Sequence, residues 1–330
     1  MKNILTELIE HRSLTKETAK QVLVELTSGK YNTSQMTAFM TVYMMRSITV
    51  DELQGFRDAM LELCIPVRFE QPVMDVCGTG GDGKNTFNMS TLSSFVVAAA
   101  GQPVAKHGNY GVSSACGSSN LLEYFGYKFT NNHDELKRSI DRANICFMHA
   151  PLFHPAMKNV GPIRKELGVK TFFNMLGPMV NPAFPKRQLV GVFNLELARQ
   201  YGYLYQNTDK DFVILHSIDG YDEVSLTGAF KYFSNQGERL AVPADLGLPT
   251  LTYQDLKGGD SVEESAAIFM KVLEGKGTVA QNSAVIANAG MALFAGHQSE
   301  GLHAAVEKAR AALESGKALQ AFKKLIEGQQ

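Results

Sequence analysis

Gly78, Gly80, Gly81 and Gly83 fall within six residues of the stretch DVCGTGGDGKNTFNMST, Asp75 to Thr91, and such a cluster frees backbone amides to meet a phosphate. Two known templates overlap on it. Gly78 to Gly83 fits the dinucleotide pattern G-x-G-x-x-G, and with Lys84 it fits G-x-x-x-x-G-K, except that Asn85 stands where a P-loop has Ser or Thr. A dinucleotide site also needs an acid about 20 residues on to hold the ribose hydroxyls. No Asp or Glu occurs between Gly83 and Leu122, a span that holds Lys84, Lys106 and His107 instead. The P-loop hydroxyl is displaced to Thr86, and the next helix is expected only from about Ser90. What survives is the physics both templates share: a glycine turn and a helix start that present N–H donors to phosphate oxygens.

A second loop, KHGNYGVSSACGSS, sets Lys106, His107, Asn109, Ser113, Ser114 and Ser118 among three glycines directly after the next expected strand. Loops at neighbouring strand ends open into one crevice, so both can reach a single polyphosphate. Further on, HSIDGYDEVSLTG carries the doublet Asp222-Glu223. Alone, such a pair is usually a solvated surface; beside two phosphate loops it is a set of hard oxygen ligands for magnesium shared with a substrate.

These loops need elements to hold them. From Lys2 to about Cys64 apolar residues recur at three- and four-residue steps (Ile4, Leu5, Leu8; Ala19, Val22, Leu23; Met36, Phe39, Met40, Tyr43), a helical pattern throughout. Thr49 and Glu52 form a capping box for a helix ending near Cys64. After Pro66 to Pro72, the best linker candidate, short apolar strands alternate with helices. Strands are expected at Val73 to Cys77, PVAKHG, Asn144 to Ala150, Leu189 to Asn194 and Asp211 to Ser217, and helices at about Ser90 to Ala100, Ser118 to Phe125 and Gly301 to Ile326. Met157 to Leu167 also reads as helical, within a segment that returns to the first lobe. The expected fold is therefore α/β: a small all-helical N-terminal domain (1–68, with 152–172 returning to it) and a larger domain (72–330) with a mostly parallel central sheet.

Composition sets outer bounds. Hydrophobic residues make up 45% and charged residues 20%, ordinary for a folded globular chain. A formal net charge of -1 gives no bulk attraction to nucleic acid or an anionic membrane. Cys64, Cys77, Cys116 and Cys146 show no metal-ligand spacing and read as reduced thiols, which with a charged amphipathic start in place of a signal peptide points to the cytoplasm.

The ordered set DVCGTGGDGKNTFNMST, KHGNYGVSS, HPAMKNVGPIRKELGVKTFFNMLGPMVNP and DGYDEVSLTG resembles the anthranilate phosphoribosyltransferases of tryptophan biosynthesis, over nearly the whole chain. The resemblance implies transfer of the 5-phosphoribosyl group from phosphoribosyl pyrophosphate (PRPP) to the amine of anthranilate, with Mg2+, two ions being expected, and pyrophosphate released. It assigns Gly78, Gly81, Asp82, Thr86, Asn88, Met89, Ser90 and Thr91, with Lys106, His107, Gly108, Asn109, Ser113, Ser114 and Ser118, to PRPP. Ser90, Asp222 and Glu223 fall to the metal, and Gly78, Asn109, Arg164, His154 and Pro151 to anthranilate. Lys106, Arg164, Asp222 and Glu223 would carry the catalysis. A homodimer joined through the helical lobe is implied too, in agreement with the stripe Met36, Met40, Met44, although core is the simpler use of that stripe. The chain departs from the family's usual K-H-G-N-R at Tyr110-Gly111, has Asn120 in place of an acid, and Cys116 at a small-residue position.

Two rivals are distinguishable. Pyrimidine nucleoside phosphorylases share the fold class but carry a K-H-S-T-G-type phosphate motif, and magnesium-free phosphorolysis would mark them. Nucleic-acid-binding relatives would show a basic face and salt-sensitive affinity, which the net charge and the retained Arg164 and Asn109 oppose.

Overall fold

The structure, a computed structural model, describes residues 1–111 and 116–328. Four helices come first: α1 (Lys2–Ile9), α2 (Lys16–Thr27), α3 (Thr33–Met45) and α4 (Val50–Leu63). The side chains of Thr15, Asn32 and Thr49 accept first-turn amides of α2, α3 and α4, the last through the Thr49–Glu52 capping box read from the sequence. Glu52 also ties the lobe together. Its buried carboxylate accepts from the Leu14 amide at 2.9 Å and the Tyr43 hydroxyl at 3.0 Å, and pairs with Arg46. Met36 and Met40 belong to the lobe's core, whereas Ile9, Met44 and Met45 are exposed.

Seven strands follow: β1 (Met74–Gly78), β2 (Val104–Gly108), β3 (Ile145–His149), β4 (Arg187–Gly191), β5 (Asp211–Ser217), β6 (Phe230–Ser234) and β7 (Gly237–Ala241). Their order is β3-β2-β1-β4-β5-β6-β7. The first five strands run parallel, and the antiparallel hairpin β6–β7 extends the edge at β5. From β1 the chain winds outward to β2 and β3, then crosses back to β4 on the other side. The carboxyl ends of β1 and β4 therefore flank the switch point, where open sheets of this kind leave a crevice.

The crossovers carry α5 (Met89–Ala99), α6 (Ser118–Tyr124), α7 (His133–Ala143), α8 (Ala150–Phe153), α9 (Gly161–Leu167), α10 (Phe173–Leu176) and α11 (Leu195–Tyr205). After the hairpin come α12 (Val262–Leu273), α13 (Val279–Gly296), α14 (Leu302–Glu314) and α15 (Lys317–Glu327). Side chains alternate across the sheet. Val76, Leu189 and Val213 enter a core with α5, α13, α14 and α15, while Cys77, Val190 and Ile214 enter one shared with α11 and the helical lobe. α13 is buried without interruption from Ser283 to Ala295, the pattern of a helix enclosed on all sides.

Several expectations change in detail. The closing helix is two helices, because Gly316 takes φ 74° between α14 and α15. Met157 to Leu167 divides into a 3-10 turn, Pro155–Asn159, and α9, which begins around Gly161-Pro162. This stretch does pack on the helical lobe: Val160, Ile163, Phe172 and Phe173 share its core, and the Phe172 and Phe56 rings stack at 4.6 Å. The expected linker is tied down at both ends: at its start the Ile65 amide bonds the Phe153 carbonyl (2.8 Å) and the Val67 amide that of Pro182 (2.9 Å), and at its end the Pro72 carbonyl accepts from Gln102 Nε2 at 3.0 Å.

Candidate active site

Between the sheet's carboxyl edge and the segment Ala150 to Val180 lies a cleft of about 790 Å³. The glycine loop after β1 forms its floor, and Gly80, Gly81 and Gly83 take φ values of 62°, 76° and 75°, open to glycine at little cost. Two other glycines are required for a different reason. A Cβ on Gly78 would sit 2.6 Å from the Asp222 carboxylate, and one on Gly191 would sit 1.5 Å from the Asp222 carbonyl oxygen, so both strands leave room for the loop after β5.

That loop brings the carboxylate doublet onto the glycine turn. The Gly80 amide donates to Asp222 Oδ2 at 2.7 Å, and the Ser90 amide, at the start of α5, donates to Glu223 Oε1 at 3.1 Å. Two of the N–H groups expected to face phosphate thus hold the acids instead, while Gly81 and Lys84 remain on the cleft wall. Burial, and then the neighbouring Asp82, push Asp222 up to about 7; burial and then Asp222 push Glu223 well above the ordinary carboxylate range. Crowded acids of this kind call for a cation. Among the described residues no three His, Cys, Asp or Glu side chains form a closed metal cluster, so the donors here suit a hard ion that completes its shell with substrate oxygens. Magnesium fits that donor set.

Lys106, on β2, is buried and extends its Nζ to the Val76 carbonyl at 2.6 Å while still lining the cleft. His107 donates from Nδ1 to the Gly177 carbonyl at 3.1 Å, its ring 5.4 Å from that of His154. Burial holds His107 down to about 3 and His154 to about 4, so both are neutral. Neither ring nitrogen of His154 completes a hydrogen bond of ordinary geometry, nor does His107 Nε2. The Asn88 amide bonds the Cys116 carbonyl at 2.9 Å and links the two loops. Asn120, in the acid's place, accepts from the Gly111 and Gly117 amides at 2.9 and 3.1 Å and closes the second loop. Tyr110 lays its ring edge-on to His149 at 5.0 Å.

Arg164 projects from α9 across the cleft. Its Nη2 donates to Asn174 Oδ1 at 3.3 Å and its guanidinium lies 5.3 Å from the Phe173 ring centroid. No carboxylate among the described residues pairs with it. A half-buried arginine without a counter-ion is a receptor for an anion.

Gly78, Gly81, Asp82, Thr86, Asn88, Ser90, Thr91, Lys106, His107, Gly108, Asn109, Ser118, Pro151, His154, Arg164, Asp222 and Glu223 all line this one cleft. Met89 does not. Its side chain is in the core beneath α5 and its amide is taken by the Phe87 carbonyl at 2.6 Å, because the first turn of the helix points it inward. Ser113 and Ser114 lie outside the described residues. Phe173, Asn174, Met157, Lys158 and Pro178 line the cleft without having been singled out; the segment was quoted, but a ring and an amide carry no charge that marks them as site residues.

Residues 2–64 match the family model "Glycosyl transferase family, helical bundle domain", and residues 70–319 match "Glycosyl transferase family, a/b domain". Fold and cleft thus define a two-domain glycosyl transferase. The anthranilate phosphoribosyltransferase of Christiangramia forsetii is 61% identical over 326 residues, 98% of each chain. Among solved structures, the anthranilate phosphoribosyltransferase from Thermus thermophilus superposes with a TM-score of 0.91 at 32% identity, covering 98% of both chains. That from Saccharomyces cerevisiae, in complex with PRPP and Mg, gives 0.90 at 25% identity over 98% of this chain and 96% of its own. The chain belongs to the anthranilate phosphoribosyltransferase family.

Proposed function

We propose that the cleft binds PRPP and anthranilate side by side and transfers the 5-phosphoribosyl group to the anthranilate amine, giving N-(5-phosphoribosyl)anthranilate and pyrophosphate in tryptophan biosynthesis. One observation carries this reading: two glycine loops, the Asp222-Glu223 doublet and an unpaired Arg164 share a single cavity. The family relation, and the yeast relative's complex with PRPP and Mg, support it.

PRPP lies over the loop after β1, within reach of Gly78, Gly81, Asp82, Thr86, Asn88, Ser90 and Thr91, with Lys106, His107, Gly108, Asn109 and Ser118 facing it from the second loop. Asp222, Glu223 and the Ser90 hydroxyl hold magnesium, two ions in our reading, and the metal when bound supplies Lewis-acid charge to the diphosphate. Breaking the anomeric bond builds positive charge on the ribose and negative charge on the leaving group, which Lys106 and the loop amides stabilise. Arg164, steadied by Asn174 and Phe173, grips the anthranilate carboxylate with two parallel hydrogen bonds, and neutral His107 and His154, with Gly78, Asn109 and Pro151, line its pocket. The amine is nucleophilic enough for an oxocarbenium-like centre, so orientation rather than a strong base carries the rate.

The α/β lobe (72–330) supplies the PRPP contacts, the segment 152–172 that returns to the helical lobe (1–68) brings His154 and Arg164 to anthranilate opposite Gly78, Asn109 and Pro151, and Ile9, Met44 and Met45 offer an apolar surface for a homodimer. No helix among the described residues is long and apolar enough to cross a membrane, and all four cysteines are free, in keeping with a cytoplasmic setting and small-molecule partners only. Steady-state turnover of Asp222→Asn tests the metal assignment. It is expected to fall by at least about 100-fold, and unchanged turnover in a folded variant would remove Asp222 from the site.

A further inference from the structure

The glycine loop after β1 has two halves that are held differently. At Gly80 and Gly83 an added Cβ would meet nothing within 4 Å. From Asn85 onward the backbone is pinned. Asn85 stands where a P-loop has its hydroxyl, and its carbonyl accepts from the Gly258 amide at 2.7 Å, while the Phe87 amide donates to the Leu256 carbonyl at 3.2 Å. Between them Thr86 and Lys257 form an isolated antiparallel bridge. Asn85 Nδ2 adds a bond to Asp260 Oδ1 at 3.3 Å. Leu256 to Asp260, on the way from the hairpin β6–β7 to α12, is thus a strap across the loop, and Leu256 anchors it in the core that also holds Phe87 and Met89.

Gly258 sets how close the strap comes. Its φ lies outside the left-handed region, so the backbone conformation does not demand glycine. Contact demands it instead: a Cβ would lie 2.8 Å from the Thr86 carbonyl oxygen, 2.9 Å from its carbon and 3.0 Å from the Phe87 nitrogen. All three are backbone atoms, so an added methyl has to push loop and strap apart. On its other side the same stretch meets the carboxylate doublet. Thr86 Oγ1 donates to Glu223 Oε2 at 3.4 Å, and the Ser90 amide to Oε1 at 3.1 Å. Thr86, Asn88 and Ser90 line the cleft, and none of residues 256–260 does.

We propose that the strap is a positioning element, with Gly258 its closest contact, which fixes Thr86 and the turn into α5 against Glu223 and so sets the affinity for PRPP and magnesium without touching either. This rests on the reading that the loop after β1 holds PRPP. Gly258→Ala is expected to raise KM for PRPP about tenfold, and the magnesium concentration at half-maximal rate with it, while KM for anthranilate stays within about twofold. A merely stabilising strap would lower the active fraction and leave those constants in place. A wild-type KM for PRPP in a folded Gly258→Ala, or an equal rise in KM for both substrates, overturns the proposal.

Thr86→Val separates the two levels. If it raises KM for PRPP while Gly258→Ala does not, the strap fails and the reading of the loop stands; if neither does, the loop's assignment fails as well. Should Gly258→Ala not fold, the strap's exposed end decides. Asn85→Ala and Asp260→Ala are each expected to raise KM for PRPP about threefold, and their combination no further, because both break one contact. Unchanged constants, or effects that add, contradict the proposal.

Discussion

Arg164 shows how much one side chain's surroundings decide. Its guanidinium is held by an amide oxygen and an aromatic face, partners that orient a planar fork without neutralising it. A lysine would keep the charge and lose the fork. Arg164→Lys is therefore expected to raise KM for anthranilate by roughly 10- to 100-fold, with KM for PRPP nearly unchanged, as read from initial rates with each substrate varied in turn. Lys106, Asp222 and Glu223 were visible because charges beside glycine-rich loops are conspicuous, whereas Arg164 was reached only through the family resemblance. The sequence could not separate Met89 from its neighbours Asn88 and Ser90: the motif is continuous, but a helix turn sends one of the three into the core. Asn174 and Phe173 stayed hidden for the complementary reason, since their work is to orient a charge that belongs to another residue.

The elements themselves impose constraints that can be broken singly. Gly191 ends β4 where the Asp222 backbone crosses it, and a Cβ there would overlap the Asp222 carbonyl oxygen. Gly191→Ala is expected to displace the loop after β5 and so weaken magnesium and PRPP binding together in calorimetric titration, leaving the helical lobe's circular-dichroism signal intact. In that lobe Glu52 closes a network with Leu14, Tyr43, Arg46 and Thr49. Glu52→Ala leaves Arg46 half-buried and unpaired, and is expected to cost about 3–5 kcal/mol in urea denaturation. The cap at Thr49 and the parallel strands were legible because capping chemistry and short apolar runs are local signals. The hairpin β6–β7 and the buried α13 were not assigned from the sequence: the hairpin's outer strand is largely exposed, and a helix apolar on every side loses the amphipathic period that would reveal it.

At the scale of the whole molecule, the second core joins the helical lobe to one face of the sheet, so groups in the cleft report on global stability. His107 and His154, held to about 3 and about 4 first by burial, titrate near 6.5 once unfolded. As pH falls below about 6.5 the unfolded chain takes up protons that the folded one refuses, so this part of the stability is complete above that value and drains away towards about pH 4. Asp222 and Glu223, pushed above the ordinary carboxylate range, act in the opposite sense over the same window, so the histidine contribution is read from the difference in melting temperature between the unaltered protein and His154→Gln, which is expected to shrink as pH falls from about 6.5 towards about 4. Function is tested most directly by following anthranilate fluorescence and pyrophosphate release in the same reaction, with PRPP and magnesium present. One pyrophosphate per anthranilate consumed, with both signals abolished by chelation of the metal or omission of PRPP, is the result expected. Pyrophosphate released without loss of anthranilate, or anthranilate consumed at an undiminished rate after chelation, would contradict the transfer proposed for this cleft.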